Sequence, residues 1–299
     1  MQYIIMKNFK LLEIIRCPEC KSSLIAKELK LICNNCNASY YHTQKIINLL
    51  PQKSKLNKYN MDYLEHYRND AEMFDYFEKR DYPATIHDEL RVKQFILSHI
   101  KGNNNIILDV GSGSAWVAEN LSDNNIVISM DIAEINIKKA LDKIKNPEHY
   151  GIVADALSPP FNNNSFDYII ASEIIEHIVE PDLFINELSK TLKPNGKLII
   201  TTPYKEKIHY SQCIHCNKIT PKNAHLHSFD EKKLTSFANN NISVEKYIIF
   251  GNKALLLLRT HIILQFLPFK LWKIIDQIVN IIIPKMNHIL IIFNKNEQK

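Results

Sequence analysis

The sequence predicts an α/β protein, a doubly wound and mostly parallel sheet preceded by a small metal-stapled module, and three observations predict it. Apolar runs of strand length alternate with helical patterns between residues 105 and 203. The first of these runs, 105–110, passes through Gly111-Ser112-Gly113 straight into a helical pattern over 116–121. Two close cysteine pairs, Cys17-Pro18-Glu19-Cys20 and Cys33-Asn34-Asn35-Cys36, stand near the start of the chain.

A chain of 299 residues can bury one sizeable α/β domain and a small module besides. Hydrophobic residues make up 45% and charged residues 23%, which excludes a disordered chain and selects no function. The net charge of +5 is unevenly spread: residues 1–60 hold ten Lys or Arg against three Asp or Glu, and residues 253–299 hold seven against two. Basic ends suit an anionic partner, a membrane surface or RNA, or are solvated faces. No basic segment followed by an apolar run and a small-residue cleavage site opens the sequence, so a cytoplasmic location is expected. The most apolar region, 254–284, is interrupted by Arg259, Lys270, Lys273 and Asp276 and offers no charge-free stretch of about 18 residues to cross a bilayer. It can still lie on one, which would place the protein at the inner face of the membrane.

The metal module follows from the spacing C-x2-C-x12-C-x2-C. Each CxxC makes a tight turn that aims two thiolates at one point, and two such turns complete the closed tetrahedral site of a structural zinc ion on Cys17, Cys20, Cys33 and Cys36. About forty residues have too little core to fold alone, so metal binding supplies the missing free energy. The other reading, a redox dithiol pair, lacks the βαβ setting such motifs need. Residues 53–60 read as a polar linker and 61–80 as an aromatic-rich helical segment able to fold over a cleft.

A cofactor site is expected where the first strand meets its glycines, because glycine lets the backbone turn sharply and approach a ligand closely. Asp109 stands just before Gly111, where a carboxylate would repel a dinucleotide pyrophosphate and attract a cation. The strand over 126–130 ends in Asp131, placed to take ribose hydroxyls. The next strands end in Asp155-Ala156 and in Ser172-Glu173, and a fifth follows Leu192-Lys193-Pro194-Asn195-Gly196.

Taken together, LDVGSGSAW, MDIAE, ADAL, SFDYIIASEIIEHI and LKPNGKLIITTP resemble the motif series of class I S-adenosylmethionine-dependent methyltransferases of the ubiquinone-biosynthesis type, in order over residues 85–203. The resemblance implies a Rossmann-like fold with a seven-stranded, mostly parallel sheet. It implies S-adenosylmethionine as cofactor, with Asp109, Gly111 and Gly113 at its amino-acid end, Asp131 at the ribose and Asp155 at the adenine amine; Ala156 and Glu173 complete the expected set. The departure is Ser114-Ala115, where the family often has a third glycine. Residues 10–52 are similar to the zinc ribbon that precedes many methyltransferase domains, among them an rRNA guanine methyltransferase. The expected layout is a ribbon over 1–52, a linker and capping segment over 53–84, and a methyltransferase domain over 85–299.

Methyl transfer needs an aligned nucleophile in a dry pocket, and a base where the acceptor carries a proton. His177, after the fourth strand, is the expected base; the alternative is a histidine that only bonds locally. The insertion 204–228 carries Cys213-Ile214-His215-Cys216 and then His225-Leu226-His227, so Cys213, Cys216, His225 and His227 are the expected ligands of a second zinc ion, with buried thiols or a redox pair as alternatives. Pro268 opens and Pro284 stops a helix, with Leu267, Leu271, Ile274, Ile275, Ile278 and Ile282 on one face; it reads as a core or dimer helix, or as one that meets lipid. The acceptor is expected to be a small molecule or a saccharide or lipid precursor, with rRNA as the runner-up and a non-catalytic cofactor-binding regulator as the rival of another class.

Overall fold

The structure is a computed structural model and describes residues 9–43, 46–51, 62–215 and 217–297. The expected linker over 53–60 and the expected ligand Cys216 lie outside the described residues.

The N-terminal part holds α1 (Phe9–Ile14), β1 (Leu24–Lys27), β2 (Lys30–Cys33), β3 (Ser39–Tyr41) and β4 (Ile46–Asn48), followed by α2 (Tyr63–Met73) and α3 (Pro83–Leu97). Then come β5 (Ile106–Val110), α4 (Trp116–Leu121), β6 (Ile126–Asp131), α5 (Glu134–Lys143), β7 (His149–Val153), β8 (Phe166–Ser172), α6 (Pro181–Thr191) and β9 (Leu192–Pro203). The remainder is a hairpin of β10 (Tyr210–Gln212) and β11 (Ile219–Pro221), α7 (Glu231–Thr235), β12 (Ile242–Asn252), α8 (Lys253–Leu257), α9 (His261–Leu264), α10 (Phe269–Ile282) and β13 (Met286–Lys295).

The large sheet runs β12-β13-β9-β8-β5-β6-β7-β4. β13 runs against every other strand of this sheet and pairs in antiparallel fashion with both β12 and β9. The central strands are apolar on both faces because helices cover both: Ile107, Leu108, Val127, Ile128, Ile169 and Ile170 are all fully buried. Helix α5 lies close on β7 because residue 151 is glycine; a Cβ there would stand 2.4 Å from Ile137 Cγ2.

The sheet has eight strands where seven were expected. The extra one is β4, which the sequence had suggested as the tail of the ribbon; it pairs in parallel with β7, Ile46 to Gly151 and Asn48 to Val153. The physical reason is the open edge of β7, whose backbone groups need partners that a passing apolar segment supplies.

The ribbon sheet β1-β2-β3 is continuous with the main core. Leu11, Ile15, Leu24, Leu31 and Tyr40 pack in one cluster with Leu157 and Phe161. The join is hydrogen-bonded as well: Arg16 N donates to Pro160 O at 2.8 Å and Asn162 N to Ile14 O at 2.7 Å. The ribbon thus rests on the segment that follows Asp155.

Candidate functional site

The parallel strands all end on one edge of the sheet, where a ligand crevice opens. The turn from β5 to α4 is built on left-handed backbone, with φ of +66° at Gly111 and +42° at Gly113. A Cβ on Gly111 would stand 2.4 Å from Ile174 Cδ1. Ala115, where a glycine is more usual, also adopts a left-handed φ of +55° and is fully buried.

A cavity of about 470 Å³ lies over this turn, walled by Gly111, Gly113, Asp131, Asp155, Ala156, Glu173 and His177. Seven of the eight catalytic and cofactor residues expected from the sequence therefore share one space. Asp109 is the exception: it is buried and lines neither this cavity nor its neighbour. Asp131 Oδ1 accepts from Ala133 N at 2.9 Å and Oδ2 from Gly113 N at 3.2 Å, which fixes the carboxylate at the rim of the glycine turn. Asp155 Oδ1 accepts from Leu157 N at 2.9 Å, and Oδ2 accepts from the Tyr63 hydroxyl.

Helix α2 covers the cavity, with Tyr63, His66, Tyr67 and Asp70 on its wall and Tyr76 just beyond. The aromatic helical pattern over 61–80 was the signal for it. The individual contact of Tyr63 with Asp155 was not legible, since it joins residues 92 apart.

The chemistry of the donor set decides which cofactor fits. Burial pushes the Asp109 carboxyl up to about 8, with the Asp131 charge adding to the effect; burial raises Asp131 as well. Asp109 Oδ2 has no hydrogen-bond partner among the described residues. Two neighbouring buried carboxylates without a compensating cation are costly and call for positive charge. S-adenosylmethionine brings a sulfonium and an ammonium group, whereas a pyrophosphate would be repelled.

A second cavity of about 410 Å³ meets the first at Tyr76, Gly111, Gly113 and Glu173, and Asp88, Ser172, Leu256 and His288 stand on its wall. Glu173 is the hinge between the two chambers. It holds a left-handed φ of +53°, which a non-glycine residue keeps only where its surroundings enforce it. Its Oε1 is buried without a partner among the described residues, and its Oε2 lies 3.4 Å from His288 Nδ1. His288 Nε2 is in turn 2.8 Å from Asp88 Oδ2. Burial works against a charge on His288, but Glu173 and Asp88 together push it up to about 10, so it is an imidazolium at neutral pH. Neither Asp88 nor His288 announced itself in the sequence; they are 200 residues apart and meet only because β13 lies in the sheet beside β9.

His177 sits in a short 3-10 turn, Ile175–His177, instead of a regular helix. Burial, aided by His225, lowers it to about 4, so its imidazole is neutral, and Nδ1 lies 3.3 Å from Ala224 O. The neighbouring Glu176 is the anchor of the 204–228 insertion and was not singled out from the sequence. Its backbone carbonyl accepts from Leu226 N and His227 N, and its Oε2 accepts from Thr202 Oγ1 at 3.0 Å.

The sulfurs of Cys17, Cys20, Cys33 and Cys36 converge as expected, all within 4.8 Å of one another. The closest pairs, Cys17–Cys36 at 3.6 Å and Cys20–Cys33 at 3.4 Å, approach the edge of roughly 3.8 Å that a tetrahedron with zinc–sulfur bonds of about 2.3 Å requires. Amides of Asn35 and Cys36 point at Cys33 Sγ, which suits a thiolate. The second expected set does not assemble among the described residues. Cys213 stands at the tip of the β10–β11 hairpin, where its amide donates to Lys218 O. His225 instead joins Glu206, Glu176 and His177, and among the described residues no cluster of three ligands includes Cys213 or His227. The ligand atoms of Glu176, His177 and His225 do come within 4.8 Å of one another, although Thr202 and Glu206 already engage two of the three.

This sheet order and glycine turn, with carboxylates at the ends of successive strands, define a Rossmann-like methyltransferase. The family model described as "Methyltransferase domain" matches residues 108–200, and that of "Trm112p-like protein" matches residues 8–41. Ubiquinone biosynthesis O-methyltransferase of Rickettsia bellii is 30% identical over 51% of this chain and 69% of its own length. The mitochondrial ubiquinone biosynthesis O-methyltransferase of Bos taurus is 31% identical over 48% of this chain and 42% of its own length. The chain thus spans less than half the length of that bovine relative. A solved structure from Listeria monocytogenes, assigned as an S-adenosylmethionine-dependent methyltransferase, shares the fold with a TM-score of 0.52 at 12% identity, over 70% of this chain and all of that one. The chain belongs to the class I S-adenosylmethionine-dependent methyltransferase family.

Proposed function

We propose that the protein transfers the methyl group of S-adenosylmethionine to a small molecule, or to a saccharide or lipid precursor, held in the second chamber. The observation that carries this reading is the pair of buried carboxylates, Asp109 and Asp131, set around a left-handed glycine turn at the junction of two cavities. Gly111 and Gly113 would admit the amino-acid end of the cofactor, Asp131 would take the ribose hydroxyls, and Asp155 with Ala156 would border the adenine. When bound, the cofactor supplies an electrophilic methyl group on a cationic sulfur.

The rest of the chemistry falls to this chain. Tyr63 and Tyr67 on α2 cover the first chamber and exclude water, which strengthens every charge interaction within. Glu173, held by His288, stands on the wall of both chambers where they meet and would orient a hydroxyl or amine acceptor. His177, neutral at physiological pH, can take the proton that such an acceptor loses.

The ribbon would carry one structural zinc ion. A second ion on Cys213, Cys216, His225 and His227 would require the hairpin tip to fold onto His225 and release it from Glu206. Elemental analysis decides between one zinc per chain and two.

The test of the main reading is calorimetry with S-adenosylmethionine and NADH, followed by tritium transfer from methyl-labelled donor to fractionated small molecules, lipids and RNA. Donor binding in the micromolar range, no NADH binding and label in the small-molecule or lipid fraction are expected. Binding of NADH in place of the donor would overturn the cofactor. Label in RNA alone would favour the rRNA reading, and donor binding with no transfer to any fraction would favour a regulatory protein.

A further inference from the structure

The segment between β12 and β13 leaves a large apolar surface uncovered. It buries one stripe: Trp272 and Phe269 pack on Phe95 of α3, and the Arg91 guanidinium lies over the Trp272 ring while Nη2 donates to Leu264 O. Much of the segment's remaining apolar surface is open among the described residues. Leu257, Leu258, Ile263, Phe266, Ile281 and Ile282 are each more than 70% exposed. Scattered apolar residues are ordinary on a surface; six of them within one helical segment are an interaction face.

The charges on the same segment say what covers it. Lys253, Arg259, Lys270 and Lys285 are exposed. The single carboxylate between residues 253 and 285 is Asp276, which is buried and accepts from Gly251 N at 3.1 Å and Asn280 Nδ2 at 3.0 Å. A second copy of this chain docked symmetrically on this face would set cations against cations with no exposed carboxylate of the segment to pair them. An anionic lipid surface offers both an apolar interior for the leucines, isoleucines and Phe266 and a negative headgroup layer for the lysines. No helix among the described residues is long and apolar enough to cross a membrane, so the segment would lie in the interface.

We infer that α8, α9 and α10 form a docking surface for anionic phospholipid bilayers. The surface adjoins the second chamber, since Leu256, next to the exposed Leu257 and Leu258, lines its wall. Docking therefore brings that chamber to the lipid surface. The inference concerns binding alone and stands apart from the methyl-transfer reading.

The experiment is cosedimentation of the full chain with phosphatidylcholine vesicles, with and without phosphatidylglycerol, at low and high salt. The protein should pellet with the anionic vesicles at low salt and be released by high salt. Lys270→Glu with Lys285→Glu should weaken binding at least about 25-fold, at roughly fivefold for each cation lost. Phe266→Asp with Ile281→Asp should abolish it. All four positions are exposed, so each variant should keep the wild-type melting transition and S-adenosylmethionine affinity, which separates a failure of docking from a failure of the cofactor site. Absence of sedimentation with anionic vesicles at low salt would overturn the inference. So would a dimer in analytical ultracentrifugation that Phe266→Asp with Ile281→Asp dissociates while vesicles remain unbound.

Discussion

Replacing Asp109 with Asn tests the electrostatic core of the site, because the two side chains have the same shape and differ in charge. In the folded chain Asp109 keeps its proton up to about pH 8, against an ordinary value of 3.8. The native state therefore binds more protons than the unfolded state between those values, and stability falls as pH rises through that window. The slope reaches about 1.4 kcal/mol per pH unit, so the penalty at pH 7 is on the order of 4 kcal/mol. Asp131, raised by burial as well, adds in the same direction. A cation bound near the two carboxyls offsets the cost of burying their charge, so at pH 7 donor binding should release up to about 0.9 of a proton. Urea unfolding of the ligand-free protein between pH 5 and 8 should show declining stability, and Asp109→Asn should flatten the decline. Calorimetry in buffers of different ionisation enthalpy should detect the proton release in the wild type and a smaller one in the variant. The variant should bind S-adenosylmethionine roughly 10- to 100-fold more weakly, the worth of a charged interaction. Equal affinity together with an unchanged pH slope would refute the argument.

Ala115→Gly should stabilise the fold by up to about 1 kcal/mol in chemical denaturation, because relief of the left-handed strain outweighs the extra freedom of glycine in the unfolded chain; a loss of stability would show that the φ of +55° carries no strain. Treatment with a zinc chelator, or Cys20→Ser, should lower the melting temperature and weaken donor binding together if the four cysteines hold the proposed zinc, since the ribbon packs on Leu157 and Phe161, just after Asp155; donor affinity untouched by either would disconnect the two parts. His288→Gln should leave Glu173 without its cation. The raised pKa means that the clamp is intact at neutral pH and is lost as pH climbs through about 10, so donor affinity in the wild type should fall along an alkaline limb that the variant lacks.

The main features of the fold were legible because they are local. Near-continuous apolar runs over 106–110, 126–131 and 166–172, each followed by a helical pattern or turn, mark strands covered on both faces, and a right-handed crossover leaves few ways to order them. The candidate cofactor residues were placed for the same reason: each stands at or just past the end of a readable strand, and parallel strands deliver their ends to one edge. The cysteine spacing of the ribbon needs only two tight turns, and its four sulfurs converge as the spacing requires.

What the sequence could not determine depends on which distant surfaces meet. Residues 46–48 read as the tail of the ribbon and join the sheet only because the β7 edge lies open beside them. Spacing alone suggested a second metal set on Cys213, Cys216, His225 and His227; Cys216 lies outside the described residues, and among those described His225 is drawn to Glu206 and His177, because Glu176 holds the end of the insertion against the sheet. The stripe of α10 could have faced core, copy or lipid; burial of Trp272 and Asp276 turned the leucines and isoleucines outward. Asp88, Glu173 and His288 form one charged relay at the junction of the chambers, and nothing in their local sequence predicts it, since their contacts span up to 200 residues. Period and spacing in one chain specify elements and the ends of elements; which side chains share a cavity is decided by long-range packing, where burial and the need to pair buried charge select one arrangement.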